Sequence, residues 1–92
     1  MSDIEEVWER IRRHSGEEFQ TIKGLAFTYE TPGNFLRVSR EGREINRSLS
    51  RTNFARALDM LPASGPGKLP GRQGASYTWA ILMDGRIRKN DW

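Results

Sequence analysis

The spacing of the apolar residues changes once along the chain, and this change constrains the fold more than any other feature. Ile4, Val7, Trp8 and Ile11 recur at intervals of three and four residues, which places them on one face of a helix. From Leu25 onward apolar and polar residues alternate instead, as they do in a strand with one buried face. The pattern therefore predicts an α+β fold.

Both ends of the predicted first helix carry terminal signals. Ser2 followed by Glu5 fits a capping box, in which the two side chains bond to N–H groups of the first turn. Ser15-Gly16 would end the helix, with Gly16 in the left-handed conformation. Basic residues crowd the last turn, where the helix dipole favours positive charge. His14, the single histidine, is interpreted in the same way rather than as a general base.

The alternating region predicts a three-stranded antiparallel meander. The segment 31–34 contains Pro and Gly where a type II turn requires them, and Glu41-Gly42 is a second turn signal. A further short strand over 19–22 would precede the meander. The buried face is expected to hold Leu25, Phe27, Tyr29, Leu36, Val38, Ile45 and Leu49. Arg47 would share that face at the margin of the sheet, where its charged end can reach water.

A second helix is predicted to begin at Ser50 or Thr52, since both are good N-caps, and to stop at Pro62. Its apolar stripe would be Phe54, Ala57, Leu58 and Leu61. The two amphipathic helices would cover one face of the sheet. The segment 63–74, rich in glycine and proline, is interpreted as a long loop that is either mobile or used for binding.

The last segment, 76–92, fits two structures. Alternation of Tyr77, Trp79, Ile81 and Met83 before Asp84-Gly85 favours a hairpin. A short helix capped by Ser76 and ending at Gly85 fits the same residues, and we favour the hairpin. The predicted fold is thus a small single α+β domain over residues 1–92. An antiparallel β-meander is covered on one face by two amphipathic helices, with a C-terminal hairpin or short helix.

Composition argues against several classes of function. The 92 residues include no cysteine, so a disulfide framework and a thiolate metal site are both excluded. Nucleophile elbows, phosphate loops and calcium-loop spacings do not occur, and we expect no enzymatic activity, no cofactor and no metal. The N-terminus lacks the apolar run of a signal peptide, and no stretch is apolar enough to span a membrane. We therefore expect a cytoplasmic protein with no membrane partner.

Charge is distributed unevenly along the chain. The net charge is +3, but residues 1–30 hold seven acidic and four basic side chains, a balance of −3. Residues 31–92 hold five acidic and eleven basic side chains, a balance of +6. This asymmetry indicates a basic surface suited to an anionic partner, although a merely solvated arginine-rich surface would give the same count.

The best candidate site lies between the second strand and the start of the second helix. A helix N-terminus offers unpaired N–H groups and a partial positive charge, which suit an anion. Guanidinium, hydroxyl and amide groups would add donors for phosphate, and an outward phenylalanine beside an arginine could stack on bases. The predicted contacts are Phe35, Arg37, Arg40, Arg43, Arg47, Ser50, Arg51, Thr52 and Asn53. Ordinary capping of the helix, with solvated arginines, is the alternative interpretation.

Two functions are consistent with these features. The first is a small basic domain that binds nucleic acid or another phosphate-rich anion, mainly independently of sequence. The alternative is a protein-interaction or homo-oligomerisation module with no catalytic activity. In that case Trp92, the glycine-rich loop and a strand edge would contact a protein partner or a second copy. Salt would weaken the first kind of binding steeply.

Overall fold

The computed structural model describes residues 3–69 and 74–92, and of residues 45–47 it describes only the backbone. The elements in chain order are α1 (Ile4–Arg13), β1 (Phe19–Gln20), β2 (Ala26–Glu30), β3 (Phe35–Arg40), β4 (Arg43–Ser50), α2 (Arg51–Leu58), a 3₁₀ helix (Pro66–Lys68), α3 (Ala75–Met83) and α4 (Gly85–Arg88). The strands form one antiparallel sheet in the order β1-β2-β3-β4. The fold is therefore α+β, as predicted. None of the described helices is long and apolar enough to cross a membrane.

Helix α1 is capped by a different residue from the one predicted. Asp3 is the N-cap, and its carboxylate accepts the backbone N–H of Glu6 at 3.0 Å. Both Ser and Asp are good caps, and Asp3 also brings negative charge to the positive end of the helix dipole. Ser2 lies outside the described residues. At the other end Gly16 has a φ of +88°, which confirms its predicted left-handed conformation.

The sheet gains a fourth strand because β1, predicted as a short additional strand, pairs with the start of β2. Leu25 was expected on the buried face, and this is wrong, since the residue is 50% exposed. It lies in the turn between β1 and β2, where its N–H donates to the hydroxyl of Thr21 at 3.1 Å. The predicted burial of Phe27 and Tyr29 is confirmed. The side chains of Ile45 and Arg47 lie outside the described residues.

The two predicted turns differ in outcome. Pro32-Gly33 does not form a type II turn, because Gly33 lacks the positive φ that this turn requires. The last pair of β2 and β3 is Glu30 with Arg37, so a broad loop rather than a tight turn joins them. Glu41-Gly42 is confirmed as a tight turn: its φ values of +54° and +77° are those of type I′.

The favoured C-terminal hairpin is wrong, and the alternative helix is correct. Helix α3 buries side chains on several sides, among them Tyr77, Ala80 and Leu82. Its apolar residues are therefore those of a helix buried on most sides, and their apparent alternation does not indicate a strand. Ser76 is not its cap, because α3 already begins at Ala75. Asp84 does not start a hairpin turn but caps α4, where its carboxylate accepts the N–H of Arg86 at 2.9 Å.

Three helices rather than two cover the inner face of the sheet. Tyr77 of α3 meets Phe27 edge-on with ring centres 4.9 Å apart, and Trp8 of α1 meets Phe54 of α2 at 5.6 Å.

Helices α1 and α2 run antiparallel, since Arg12 shares a cleft with Arg51 at one end of the pair. The start of α1 shares another cleft with the end of α2. This arrangement creates two separate surface features on one helix pair.

Candidate functional site

The predicted binding residues do not form one surface. Arg40 and Arg43 lie opposite each other beside the type I′ turn at one end of β4. Arg51 begins α2 at the other end, and the intervening strand spans roughly 23 Å at about 3.3 Å per residue. Thr52 is exposed on α2, while the side chain of Arg47 lies outside the described residues. The candidate arginines therefore fall into two groups.

The outer face of β3 carries Phe35 and Arg37, which alternate with buried residues as predicted. The Arg37 guanidinium lies 5.6 Å from the centre of the Phe35 ring. Its Nε is also 3.5 Å from the carboxylate of Glu44, and Glu30 lies opposite Arg37 on β2. The described side chains of this face therefore show no excess of positive charge, and its affinity for phosphate should be low.

The N-terminus of α2 has fewer unused donors than the sequence suggested. Ser50 Oγ accepts the N–H of Asn53 at 3.1 Å, which confirms Ser50 as the N-cap. The carbonyl of Asn34 accepts the N–H of Arg51 at 2.8 Å. The side-chain amide of Asn53 donates to Thr78 at 3.1 Å and joins α2 to α3. An anion at this helix end would therefore depend on side chains more than on backbone N–H groups.

One cleft brings Arg51 together with a second arginine. This basic cleft has a volume of about 230 Å³ and is lined by Trp8, Arg12, Thr31, Pro32, Gly33, Asn34 and Arg51. Arg12 comes from the last turn of α1, Arg51 from the first turn of α2, and the loop 31–34 closes the third side. Buried Trp8 packs against Phe54 and fixes the distance between the two helices. The cleft is thus part of the packed helix pair.

The two guanidinium groups of the basic cleft keep much of their hydrogen-bonding capacity. Arg12 lies 3.6 Å from Glu9, but both side chains are more than half exposed, and such pairs contribute little. Within residues 3–69 and 74–92, no ion pair or hydrogen bond engages the guanidinium of Arg51. An anion with two or more oxygens could therefore bind both groups.

Sequence reasoning missed Arg12 and the loop 31–34 as parts of a site. Arg12 is one of the basic residues of the last turn of α1 that were assigned to the helix dipole, and no local spacing relates it to Arg51. The two residues meet because Trp8 and Phe54 pack α1 antiparallel to α2. The available signal was the prediction that both helices cover the same sheet face, since neighbouring antiparallel helices bring opposite ends together.

A second charged cluster surrounds Arg86 of α4. Its guanidinium lies 3.8 Å from the centre of the Phe19 ring. It donates two hydrogen bonds to Asp84 at 2.9 and 3.0 Å, one to Glu17 at 3.1 Å and one to the carbonyl of Glu18 at 2.9 Å. This arginine is therefore engaged by the protein itself and links α4 to β1.

These contacts shift the ionisation of the cluster. Hydrogen bonds from Arg86 lower the pKa of Asp84 against the opposing effect of burial, and the same bonds raise the pKa of Arg86. The pKa of Glu17 is lowered mainly by its hydrogen bond with His14, at 2.9 Å, and further by Arg86. Burial raises the pKa of Tyr29, whose hydroxyl donates to the carbonyl of Ile11. These shifts favour the carboxylate forms of Asp84 and Glu17, the charged form of Arg86 and the neutral hydroxyl of Tyr29, which are the forms that make these hydrogen bonds.

The described residues include no cluster of three or more histidine, aspartate or glutamate side chains that could hold a metal ion. No family model matches the chain, and neither a curated protein nor a solved structure matches it. Function must therefore be inferred from the side chains of this chain alone.

Proposed function

We propose that the basic cleft binds a phosphate group of a nucleic-acid backbone, in a mode that is mainly independent of sequence. The observation that carries this proposal is the meeting of Arg12 and Arg51 in one cleft between two helices. Guanidinium groups match the geometry of phosphate oxygens, and two of them can bind the same group or successive groups. The positive end of the α2 dipole adds to the attraction.

The shape of the basic cleft favours a phosphate over an apolar ligand. Its lining combines two cations with the hydroxyl of Thr31 and the amide of Asn34. A volume of about 230 Å³ is below the range typical of drug-sized ligand pockets. The residues that line the described cleft provide no carboxylate or imidazole, so we propose binding without general acid–base catalysis.

The second arginine group extends the proposed contact to a polymer. Arg40 and Arg43 are both exposed beside the type I′ turn. Their separation from Arg51, roughly 23 Å along β4, corresponds to about seven nucleotides at 3.4 Å per charge of one strand. A single free anion could not reach both groups, whereas a strand could. Contacts to phosphate position a nucleic acid but do not read its bases.

Fluorescence anisotropy tests the proposal with labelled single- and double-stranded DNA and RNA at two salt concentrations. We compare the wild type with Arg12→Glu/Arg51→Glu in the cleft and with Arg40→Glu/Arg43→Glu beside the turn. Arg56→Glu serves as a control, because Arg56 is exposed on α2 but does not line the cleft. For a duplex, each lost phosphate contact should reduce the slope of log K against log salt by about 0.9.

The expected result is binding that weakens with salt, with little change in the control. In the cleft variant the slope should fall by about 0.9 if both arginines contact one phosphate, and by about 1.8 if they contact two. Absence of binding to every nucleic acid at low salt would overturn the proposal. If only the variant beside the turn binds more weakly, the cleft is not the site.

A further inference from the structure

A second recess lies at the opposite end of the α1–α2 pair and has different chemistry. This acidic groove has a volume of about 520 Å³ and is lined by Asp3, Ile4, Ala55, Leu58, Asp59, Leu61 and Trp92. It lies about 12 Å from the basic cleft, because some eight helical residues separate them at 1.5 Å each. Apolar side chains form most of its lining, and among the described residues the charged side chains that line it are those of Asp3 and Asp59.

One side of the acidic groove is held in place by contacts away from it. The indole N–H of Trp92 donates to the carbonyl of Leu82 at 2.8 Å, and the carbonyl of Trp92 accepts from Arg88. The preceding residue, Asp91, is paired with Arg10. Because these bonds fix Trp92 in advance, a ligand in the groove would not have to order it, which lowers the entropic cost of binding.

The lining of the groove combines negative charge with partly exposed apolar side chains. Asp3 and Asp59 are both exposed, one at the start of α1 and the other at the end of α2. Ile4, Leu58 and Leu61 line the same groove and are partly exposed. The complementary ligand therefore presents apolar side chains flanked by lysine or arginine.

We propose that the acidic groove docks a basic amphipathic helix of a partner protein. A recess between two helices is the shape into which such a helix places apolar side chains spaced three or four residues apart. A second copy of this chain is a poorer occupant, because α1, α2 and α3 direct their apolar residues into their own core. The proposal does not depend on nucleic-acid binding, since the basic cleft and the groove share no lining residue.

A synthetic peptide probes this surface directly. We use a labelled helix of leucine and lysine, with leucines at helical spacing, and measure its binding by fluorescence anisotropy. One comparison peptide carries glutamate in place of lysine, and another has the same composition in scrambled order. Ala55→Gln fills the groove without changing charge, and Asp59→Lys reverses one carboxylate. Glu30→Lys is the matched charge control, because Glu30 is exposed on β2 away from the groove.

We expect the basic helix to bind, the scrambled peptide to bind weakly, and Ala55→Gln to reduce affinity about tenfold. Asp59→Lys should reduce affinity several-fold and Glu30→Lys less than twofold. Arg12→Glu/Arg51→Glu should retain the affinity for the peptide, which separates this result from that of the proposed nucleic-acid function. The proposal is overturned if the basic helix does not bind. It is equally overturned if folded Ala55→Gln and Asp59→Lys bind it as well as the wild type.

Discussion

Arg86 and Arg51 show two opposite uses of the same side chain. The guanidinium of Arg86 donates four hydrogen bonds to acceptors of this chain and lies against an aromatic ring. That of Arg51 lines an open cleft beside Arg12 and has no such partner within residues 3–69 and 74–92. Arg86 is therefore expected to act in stability, and Arg51 in binding. An arginine-rich composition does not distinguish these roles, whereas the positions of the acceptors do.

The physical basis of this difference is the cost of removing a charge from water. A guanidinium loses hydration as it becomes buried, and acceptors must replace that hydration if the fold is to remain stable. Where the protein supplies the acceptors, the charge is satisfied and little affinity is left for a ligand. Where solvent supplies them, a phosphate can take their place. This comparison can be tested with single and double substitutions.

The largest effect is expected at Arg10, the most completely buried arginine in the part of the chain whose side chains are described. It is 8% exposed and donates to the carbonyl of Ile87, to Glu6 and to Asp91. Arg10→Met should lower the free energy of unfolding by about 2–3 kcal/mol, less than for a fully buried pair because Asp91 is partly exposed. Urea denaturation measures this change. Arg13→Met, exposed on the same helix, should remain within about 0.5 kcal/mol of wild type, and equal losses would contradict the distinction.

The next effect concerns Arg86 itself. Arg86→Met retains an apolar stem over Phe19 but removes the hydrogen bonds to Asp84, Glu17 and the carbonyl of Glu18. We expect a loss of about 1–2 kcal/mol, since the cluster is partly exposed and solvent screens it. Urea denaturation measures the loss, and anisotropy should show that affinity for nucleic acid is unchanged. A fall in affinity as large as that of the cleft variant would place Arg86 in the binding surface, and would contradict the assignment of Arg86 to stability and Arg51 to binding.

The reverse result is expected for Arg12→Glu/Arg51→Glu. Affinity for nucleic acid should fall by at least about tenfold, or about 1.4 kcal/mol, with stability nearly unchanged. Reversal of charge at the end of α1 opposes its dipole, whereas reversal at the start of α2 favours it, each by about 0.3–1 kcal/mol. The two effects should nearly cancel in the free energy of unfolding. A loss of stability beyond about 1 kcal/mol would show that the cleft arginines support the fold.

Much of the fold follows from local pattern. The apolar stripe of α1, the Ser50 cap of α2 and the Glu41-Gly42 turn are signals within a few residues of one another, and all three are confirmed. The prediction of a C-terminal hairpin failed because α3 is apolar on most sides, so the spacing of its apolar residues does not distinguish a helix from a strand. Asp84-Gly85 was interpreted as a hairpin turn, but Asp84 caps α4. Aspartate is common both in turns and at helix N-caps, because its side-chain oxygen accepts a backbone N–H in either structure.

The site was less predictable because it depends on tertiary contacts. The sequence indicated the start of α2, but not that Asn34 would use the N–H of Arg51 or that Asn53 would bond to Thr78. Nor did it indicate that α1 would bring Arg12 to the same place. These features arise only when the helices pack on the sheet. The binding roles of the candidate residues stay predictions until ligands are measured.

The smallest effect expected is the acid dependence of the Arg86 cluster. Arg86 lowers the pKa of Asp84 below its ordinary value of 3.8 in the folded protein, so the folded state binds this proton less readily than the unfolded state. The stabilisation is therefore complete above about pH 5 and is lost as pH falls through the lowered pKa. Asp84→Asn should be less stable than wild type at neutral pH, and the difference should shrink below pH 4. Urea denaturation across this range measures the difference.

Asp59→Asn is the control, because Asp59 is exposed and no ion pair engages it in the described part of the chain. If the difference between Asp84→Asn and wild type does not change with pH, the carboxylate of Asp84 does not stabilise the cluster as an ion.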